Sequence, residues 1–165
     1  MNKEEFTKLI TENTDSLFHV SYGILRNESD AEDAVQSAII KAYSKKHTLK
    51  NPEYAKTWLI RILINECKQL RRKTRKELIG DDDDYQMLIS DSFSYNPDND
   101  LRMDVWEALG KLDNDHRLVL ILKYVEGFNL NEIARMTGVM KGTVGSRLNR
   151  ARNKMKELLS NYMRG

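Results

Sequence analysis

Apolar residues recur every three or four positions along most of this 165-residue chain, which is the spacing of one buried face of an α-helix. No stretch of useful length alternates apolar and polar residues, as a half-buried strand would. One run, Val119 to Tyr124, is apolar except for Lys123, but the cap residue Asp113 before it and Gly127 after it favour a buried helix over a strand. The pattern therefore predicts an all-α protein.

Three helices are predicted before residue 74. The first covers residues 3–25, and the second opens at Ser29-Asp-Ala-Glu32, a capping-box sequence whose side chains satisfy the first backbone N–H groups. The third follows Asn51-Pro52, a cap residue and a proline suited to a first turn. The predicted core face of this third helix comprises Ala55, Trp58, Leu59, Ile62, Leu63, Cys67 and Leu70.

Helical periodicity disappears between residues 74 and 103. Polar residues and the acidic run Asp81 to Asp84 dominate this segment, a composition typical of a linker. Lys and Arg outnumber Asp and Glu on both sides of it, whereas Asp and Glu outnumber them within it. We therefore predict two small helical domains, 1–73 and 104–165, joined by a flexible acidic linker, 74–103.

The second domain contains a predicted helix-turn-helix. Asn129 and Glu132 form a capping box, Gly138 ends a short helix, and a longer helix begins near Lys141. A short helix, a glycine turn and a longer basic helix are the parts of a protein that reads the DNA major groove. The longer helix has polar outward side chains able to hold phosphates and bond to base edges: Lys141, Thr143, Ser146, Arg147, Asn149, Arg150, Asn153 and Lys154.

The third helix carries a second basic stripe. Arg61, Asn65, Lys68 and Arg72 follow one another at steps of four, three and four residues, so they share one helix face. Such a stripe is also typical of an ordinary solvated surface. The presence of another basic helix near the end of the chain favours a second nucleic-acid contact.

Ile40 is a large apolar residue one position off the buried stripe of the second helix. It lies beside the polar residues Asp33 and Gln36 on the opposite face. The position indicates a binding surface, although single exposed apolar residues are common on proteins.

Composition excludes several classes of protein. Cys67 is the single cysteine, and the histidines lie too far apart for metal-ligand spacing, so we expect no disulfide, no metal and no cofactor. Neither a signal peptide nor a membrane-inserted segment is predicted, because the chain is charged from its third residue. We expect a cytoplasmic protein. No nucleophile motif, phosphate-binding loop or acid–base pair is visible, so an enzyme is not predicted.

Three motifs, in this order, resemble those of bacterial sigma factors of the two-domain extracytoplasmic-function (ECF) group, and the resemblance covers nearly the whole chain. The first motif is Asp30-Ala-Glu-Asp-Ala-Val-Gln36 with Ile39 and Tyr43. The second is Trp58-Leu-Ile-Arg-Ile-Leu-Ile-Asn65 with Lys68, Arg71 and Arg72. The third is Glu132-Ile-Ala134 with Gly142-Thr-Val-Gly-Ser-Arg-Leu-Asn-Arg-Ala-Arg152.

The resemblance implies that the first domain binds core RNA polymerase and melts and reads the minus-ten promoter element. It implies that the second domain reads the duplex minus-thirty-five element. Asp33, Gln36 and the adjacent Ile40 match the polymerase contact. The positions matching the contact with melted DNA are Arg61, Asn65, Lys68 and Arg72, and those matching the recognition helix are Thr143, Ser146, Arg147 and Arg150.

The resemblance also implies three partners: core RNA polymerase, promoter DNA and an anti-sigma factor, commonly membrane-anchored, that covers the same faces. The sequence departs from the family pattern at Gly145, where many relatives have a basic residue, and at Met140-Lys141, where they have serines. These departures concern the preferred promoter sequence.

A distance estimate indicates that the chain depends on a scaffold. Promoter elements two and a half turns apart, as the resemblance implies, are separated by roughly 85 Å of duplex. A relaxed linker of about 30 residues, in contrast, has an end-to-end distance of only about 30 Å. Core polymerase would hold it extended, and the acidic run Asp81 to Asp84 suits a positively charged channel.

Two other classes of function are compatible with parts of the pattern. A stand-alone helix-turn-helix repressor or activator predicts a dimer and a palindromic site bound without polymerase. A helical adaptor predicts no salt-dependent DNA binding. The two basic helices together favour a sigma factor over both.

Overall fold

The computed structural model describes residues 1–78 and 100–164, with the side chains of 100–104 and 162–164 left aside. Within these ranges every regular element is helical, which confirms the all-α prediction. The α-helices are α1 (Lys3–Leu25), α2 (Glu28–Ser44), α3 (Ala55–Leu78), α4 (Asp100–Gly110), α5 (Asn114–Leu120), α6 (Leu130–Thr137) and α7 (Lys141–Arg164). The predicted linker has its ends in α3 and α4, and its remainder, 79–99 with Asp81 to Asp84, lies outside the described residues.

Helices α1 to α3 form a first unit. A row of small residues in α2, Ala31, Ala34 and Ala38, is buried and lets this helix approach both α1 and α3 closely. Behind that row, Ser21 in α1 donates a hydrogen bond to the Ala31 carbonyl at 2.9 Å. Cys67 is fully buried beside Ser21, and burial raises the pKa of its thiol to about 11. Cys67 is therefore a core residue.

The start of α2 differs from the prediction. Asn27 caps the helix, accepting a hydrogen bond from the Asp30 backbone N–H at 2.9 Å, so the predicted capping box at Ser29 and Glu32 is wrong. The physical reason lies one residue earlier. Arg26 ends α1 in a left-handed conformation with φ 55°, which leaves Asn27 extended and its side chain in the cap position.

Helices α4 to α7 form a second unit, in which α7 packs on α4, α5 and α6. Asp113 caps α5 as predicted, accepting from the His116 backbone N–H at 2.9 Å. A π-helical turn, Ile121–Val125, continues α5, and Gly127 follows with φ 76°. The predicted buried helix across Val119 to Tyr124 is confirmed as a helical segment, although Tyr124 itself is exposed.

The two units are in contact. Helix α1 packs on α5 and its π-helical turn, and α3 packs on α6. Two residues of α3 outside its predicted core face, Ile60 and Ile64, are fully buried, whereas Trp58, assigned to that face, is half-buried. The extra burial in α3 reflects this second packing partner.

Candidate nucleic-acid interface

The helix-turn-helix has the predicted local geometry. The Asn129 side chain accepts from the Glu132 backbone N–H at 2.9 Å, and the Glu132 carboxylate accepts from the Asn129 backbone N–H at 3.1 Å. Gly138 ends α6 with φ 73°, a conformation that favours glycine. These contacts fix the turn between α6 and α7 and confirm the prediction.

Helix α7 separates a buried face from a polar one. Val144, Leu148 and Ala151 are buried against the rest of the second unit. Arg147 is half-buried, and its Nη2 lies 3.8 Å from Oδ2 of Asp115 at the start of α5. The remaining predicted DNA-binding residues of this helix are exposed: Lys141, Thr143, Ser146, Asn149 and Arg150.

Gly145 lies on α7 with open space around it. A Cβ atom built at Gly145 would meet no atom of the described chain within 4 Å, and the same is true of Gly142. Packing within the protein therefore does not require glycine at either position.

The basic stripe of α3 lies on the side of the helix away from Leu59 and Leu63, which are fully buried. Arg61, Asn65 and Arg72 are exposed and Lys68 is half-buried. The structure thus places three cations and one amide along a single solvent-facing side of α3, as the four-three-four spacing predicts. This arrangement is suited to holding a nucleic-acid backbone with an amide available for a base.

A third surface lies on α2. Ile40 is 70% exposed and lies on the same side as the exposed Asp33 and Gln36. Burial and the nearby Asp33 carboxylate raise the pKa of Asp30. Tyr43, in the same helix, is 44% exposed and packs edge-on against Phe6. The structure thus places Ile40, Asp33 and Gln36 together at solvent, as the sequence predicts.

The predicted site residues lie on three helices. The α2 surface, the α3 stripe and the α7 face each belong to a different helix. The described residues also lack a cluster of His, Cys, Asp and Glu able to hold a metal ion. Of the described helices, none is long and apolar enough to cross a membrane.

Comparison with known proteins assigns both units. Residues 9–77 match the family model of sigma-70 region 2, and residues 102–155 match that of sigma-70 region 4. The RNA polymerase sigma factor SigV of Bacillus subtilis is 33% identical over 156 residues, covering 92% of each chain. The chain belongs to the sigma-70 family, in its ECF group.

Two further similarities fit this assignment. The ECF sigma factor EcfG of Rhodopseudomonas palustris is 32% identical over 136 residues, covering 81% of this chain and 73% of EcfG. The sigma factor RpoE of Bartonella quintana, solved in complex with the anti-sigma factor NepR, superposes with a TM-score of 0.83 at 30% identity. That superposition covers 95% of this chain and 98% of RpoE.

The protein is therefore an alternative sigma factor, which directs promoter-specific transcription initiation. Sigma factors are initiation factors and not enzymes. The prediction of an ECF sigma factor is confirmed. This family assignment does not support the two alternatives, a stand-alone repressor or activator and a helical adaptor.

Proposed function

We propose that this sigma factor works in the cytoplasm by binding core RNA polymerase through the α2 surface and promoter DNA through α3 and α7. The single observation that supports this most is the arrangement of the polar faces. Two basic helices from different units present their cations to solvent, while an exposed isoleucine lies on a third helix.

The α2 surface suits a protein partner better than DNA. Ile40 is exposed, so covering it would remove apolar area from water, a favourable change of about 25 cal/mol per Å². Asp33, beside it, would repel the phosphate backbone. These two properties favour a contact with basic and apolar groups of polymerase, and Gln36 adds a neutral donor and acceptor.

The α3 stripe suits single-stranded DNA. Its cations, Arg61, Lys68 and Arg72, would hold successive phosphates, and the amide of Asn65 offers both a donor and an acceptor to an unstacked base. Promoter melting provides such a base. We therefore assign the minus-ten element to α3.

The α7 face suits duplex DNA. A helix that follows a short helix and a tight turn fits the major groove, where arginine can form two hydrogen bonds to guanine. Arg147 and Arg150 are the candidates for base contacts, and Thr143, Ser146 and Asn149 for bonds to phosphates or base edges. Lys141, at the helix start, is the candidate for a contact with the phosphate backbone.

We further propose control by an anti-sigma factor. The support is the superposition on RpoE in complex with NepR, which extends over both units of this chain. An anti-sigma factor that binds both units of this chain in the same arrangement would prevent core polymerase from binding the chain.

The proposal is tested by transcription of a genomic fragment library with Bacillus subtilis core polymerase, with and without this chain. New specific starts should appear only when the chain is added. Arg150→Ala should remove starts that depend on a minus-thirty-five element. Arg152→Ala is the matched control, because Arg152 is an exposed cation of α7 that bonds Tyr124 away from the polar face.

No new starts, together with tight binding of the free chain to a palindromic duplex, would contradict the proposal and favour a repressor. Equal loss of starts in both arginine variants would contradict the assignment of the α7 face.

A further inference from the structure

Met140 lies immediately before α7 and has the most exposed large apolar side chain of the described residues, at 79%. Its backbone carbonyl accepts a hydrogen bond from the Val144 N–H at 3.0 Å, so Met140 occupies the N-cap position of α7. Its neighbour Val139 packs against the core, whereas the side chain of Met140 is at solvent. Core packing therefore gives no reason for an apolar residue at position 140.

Helix capping gives no reason either. Serine, threonine, aspartate and asparagine are preferred at the N-cap because their side-chain oxygen accepts a hydrogen bond from the first turn, and methionine cannot make this bond. Four other helices of the protein have such a cap: Asn2 for α1, Asn27 for α2, Asp113 for α5 and Asn129 for α6. The helix assigned to duplex DNA thus begins with a residue that does not stabilise it.

The start of α7 offers few side chains to a partner. The N-terminal residues of a recognition helix are those that contact base edges. Two of them here are glycines, Gly142 and Gly145, and a Cβ atom built at either would meet no atom of the described chain within 4 Å. Val144, between them, is buried. The exposed side chains that remain at this end are Met140, Lys141 and Thr143.

The chemistry of methionine restricts what Met140 can bind on DNA. Its thioether has no donor and is only a weak acceptor, so phosphates and the polar base edges offer it little. The major groove presents one apolar substituent, the C5-methyl group of thymine. Methionine is unbranched and has three rotatable bonds, which let it adapt to such a small target. Thymine is therefore the base that matches this side chain.

The neighbours of Met140 favour DNA over a protein partner. Single exposed apolar residues are common on proteins, so exposure alone decides nothing. Ile40 lies beside the carboxylate of Asp33, which would repel phosphate. Met140, in contrast, is followed by the cation of Lys141, which would attract phosphate. The two exposed apolar residues thus lie in surroundings of opposite charge.

We propose that Met140 is a specificity-determining residue of this sigma factor, whose side chain covers the C5-methyl group of one thymine in the minus-thirty-five element. This inference rests on the proposed function of α7. Many relatives have serines at this position, so the contact accounts for one departure of the chain from the family pattern. Burying one methyl group corresponds to about a fourfold difference in affinity.

The contact is tested by replacing thymine with deoxyuridine, which removes the methyl group and leaves the hydrogen-bonding groups in place. The probe is the minus-thirty-five duplex defined by the starts from the fragment library, prepared with thymine or with deoxyuridine in that element. Holoenzyme with the parent chain should bind the thymine duplex about fourfold more tightly, as measured by fluorescence anisotropy. Holoenzyme with Met140→Ala should bind the two duplexes equally.

Three variants at the start of α7 are the controls, and all change exposed residues. Met140→Leu keeps an apolar side chain and should keep the preference for thymine. Thr143→Ser removes the other exposed methyl group of the first turn while keeping the hydroxyl, and it should also keep the preference. Lys141→Ala should weaken binding to both duplexes by one factor, because it loses a phosphate contact. Comparing variants on both duplexes cancels any effect of deoxyuridine on the duplex itself.

Three outcomes would overturn the inference. They are a minus-thirty-five element without thymine on either strand, a parent holoenzyme that binds both duplexes equally, and a Met140→Ala holoenzyme that keeps the full preference. Loss of the preference in Thr143→Ser, with Met140→Ala unchanged, would assign the methyl contact to Thr143. A parent holoenzyme that binds neither duplex would overturn the assignment of α7 to duplex DNA, which is the proposed function.

Discussion

Helices α3 and α7 are alike in sequence character and differ in what surrounds them. Both are 24 residues long, and both expose a basic stripe opposite a buried one. Helix α7 buries one face, through Val144 and Leu148. Helix α3 buries two adjacent faces, one through Leu63 and the other through Ile64. A helix with apolar residues on two neighbouring faces therefore indicates a second packing partner.

The largest expected effect separates the two buried faces of α3. Leu63→Ala and Ile64→Ala should each lower the free energy of unfolding by about 3 kcal/mol, because both side chains are fully buried. Hydrogen exchange should distinguish them. Leu63→Ala should reduce amide protection throughout α1 to α3, whereas Ile64→Ala should mainly reduce protection where the two units meet. Identical exchange patterns would show that α3 has a single core face.

The next prediction compares the exposed stripes. Arg150→Ala should weaken holoenzyme binding to a duplex minus-thirty-five element by about 2 kcal/mol, through loss of a base contact. Arg61→Ala should leave that binding unchanged and reduce promoter opening, because α3 is assigned to melted DNA. Binding is measured by fluorescence anisotropy and opening by permanganate reactivity of thymines. A loss of duplex binding in Arg61→Ala would contradict the assignment of α3 to melted DNA and of α7 to duplex DNA.

A smaller effect depends on pH. Glu126→Gln should lower the free energy of unfolding by about 1.5 kcal/mol near neutral pH. The folded pKa of Glu126 is lowered, so its contribution is complete above the ordinary value of about 4.3 and is lost as pH falls through the folded value. The difference in free energy of unfolding between the parent and the variant, measured by urea unfolding, should therefore shrink only in acid. A gap independent of pH would contradict the ionised role of this carboxylate.

The smallest expected effect concerns two glycines of the helix-turn-helix. Gly145→Ala should raise the free energy of unfolding by about 1 kcal/mol, because a Cβ there meets open space inside a helix. Gly138→Ala should lower it by a similar amount, because φ 73° is unfavourable for alanine. Thermal unfolding measures both. Changes of the same sign in the free energy of unfolding of both variants would show that backbone conformation does not distinguish the two positions.

Features determined by neighbouring residues could be predicted from the sequence. The capping box of Asn129 and Glu132, the turn at Gly138 and the period of α7 each depend on contacts within four residues. For the same reason, the exposed sides of α3 and α7 follow from spacing alone. These features determine which side chains are available to DNA.

Features that depend on distant parts of the chain could not be predicted. The cap at Asn27 is selected by the left-handed Arg26, whose side chain meets the second unit. Ile60 and Ile64 are buried because α3 has a partner more than fifty residues later in the chain, at α6. The apolar pair Ile60 and Ile64, outside the predicted face, was the available signal, and it becomes interpretable only once two units are placed together.

Arg26 has a consequence for protein engineering. Glycine at position 26 would relieve the left-handed backbone, worth about 1 kcal/mol, but it would also remove a buried guanidinium that lies against Gly110 at the end of α4. A design rule that considers the turn alone would therefore select a substitution whose cost lies in the other unit.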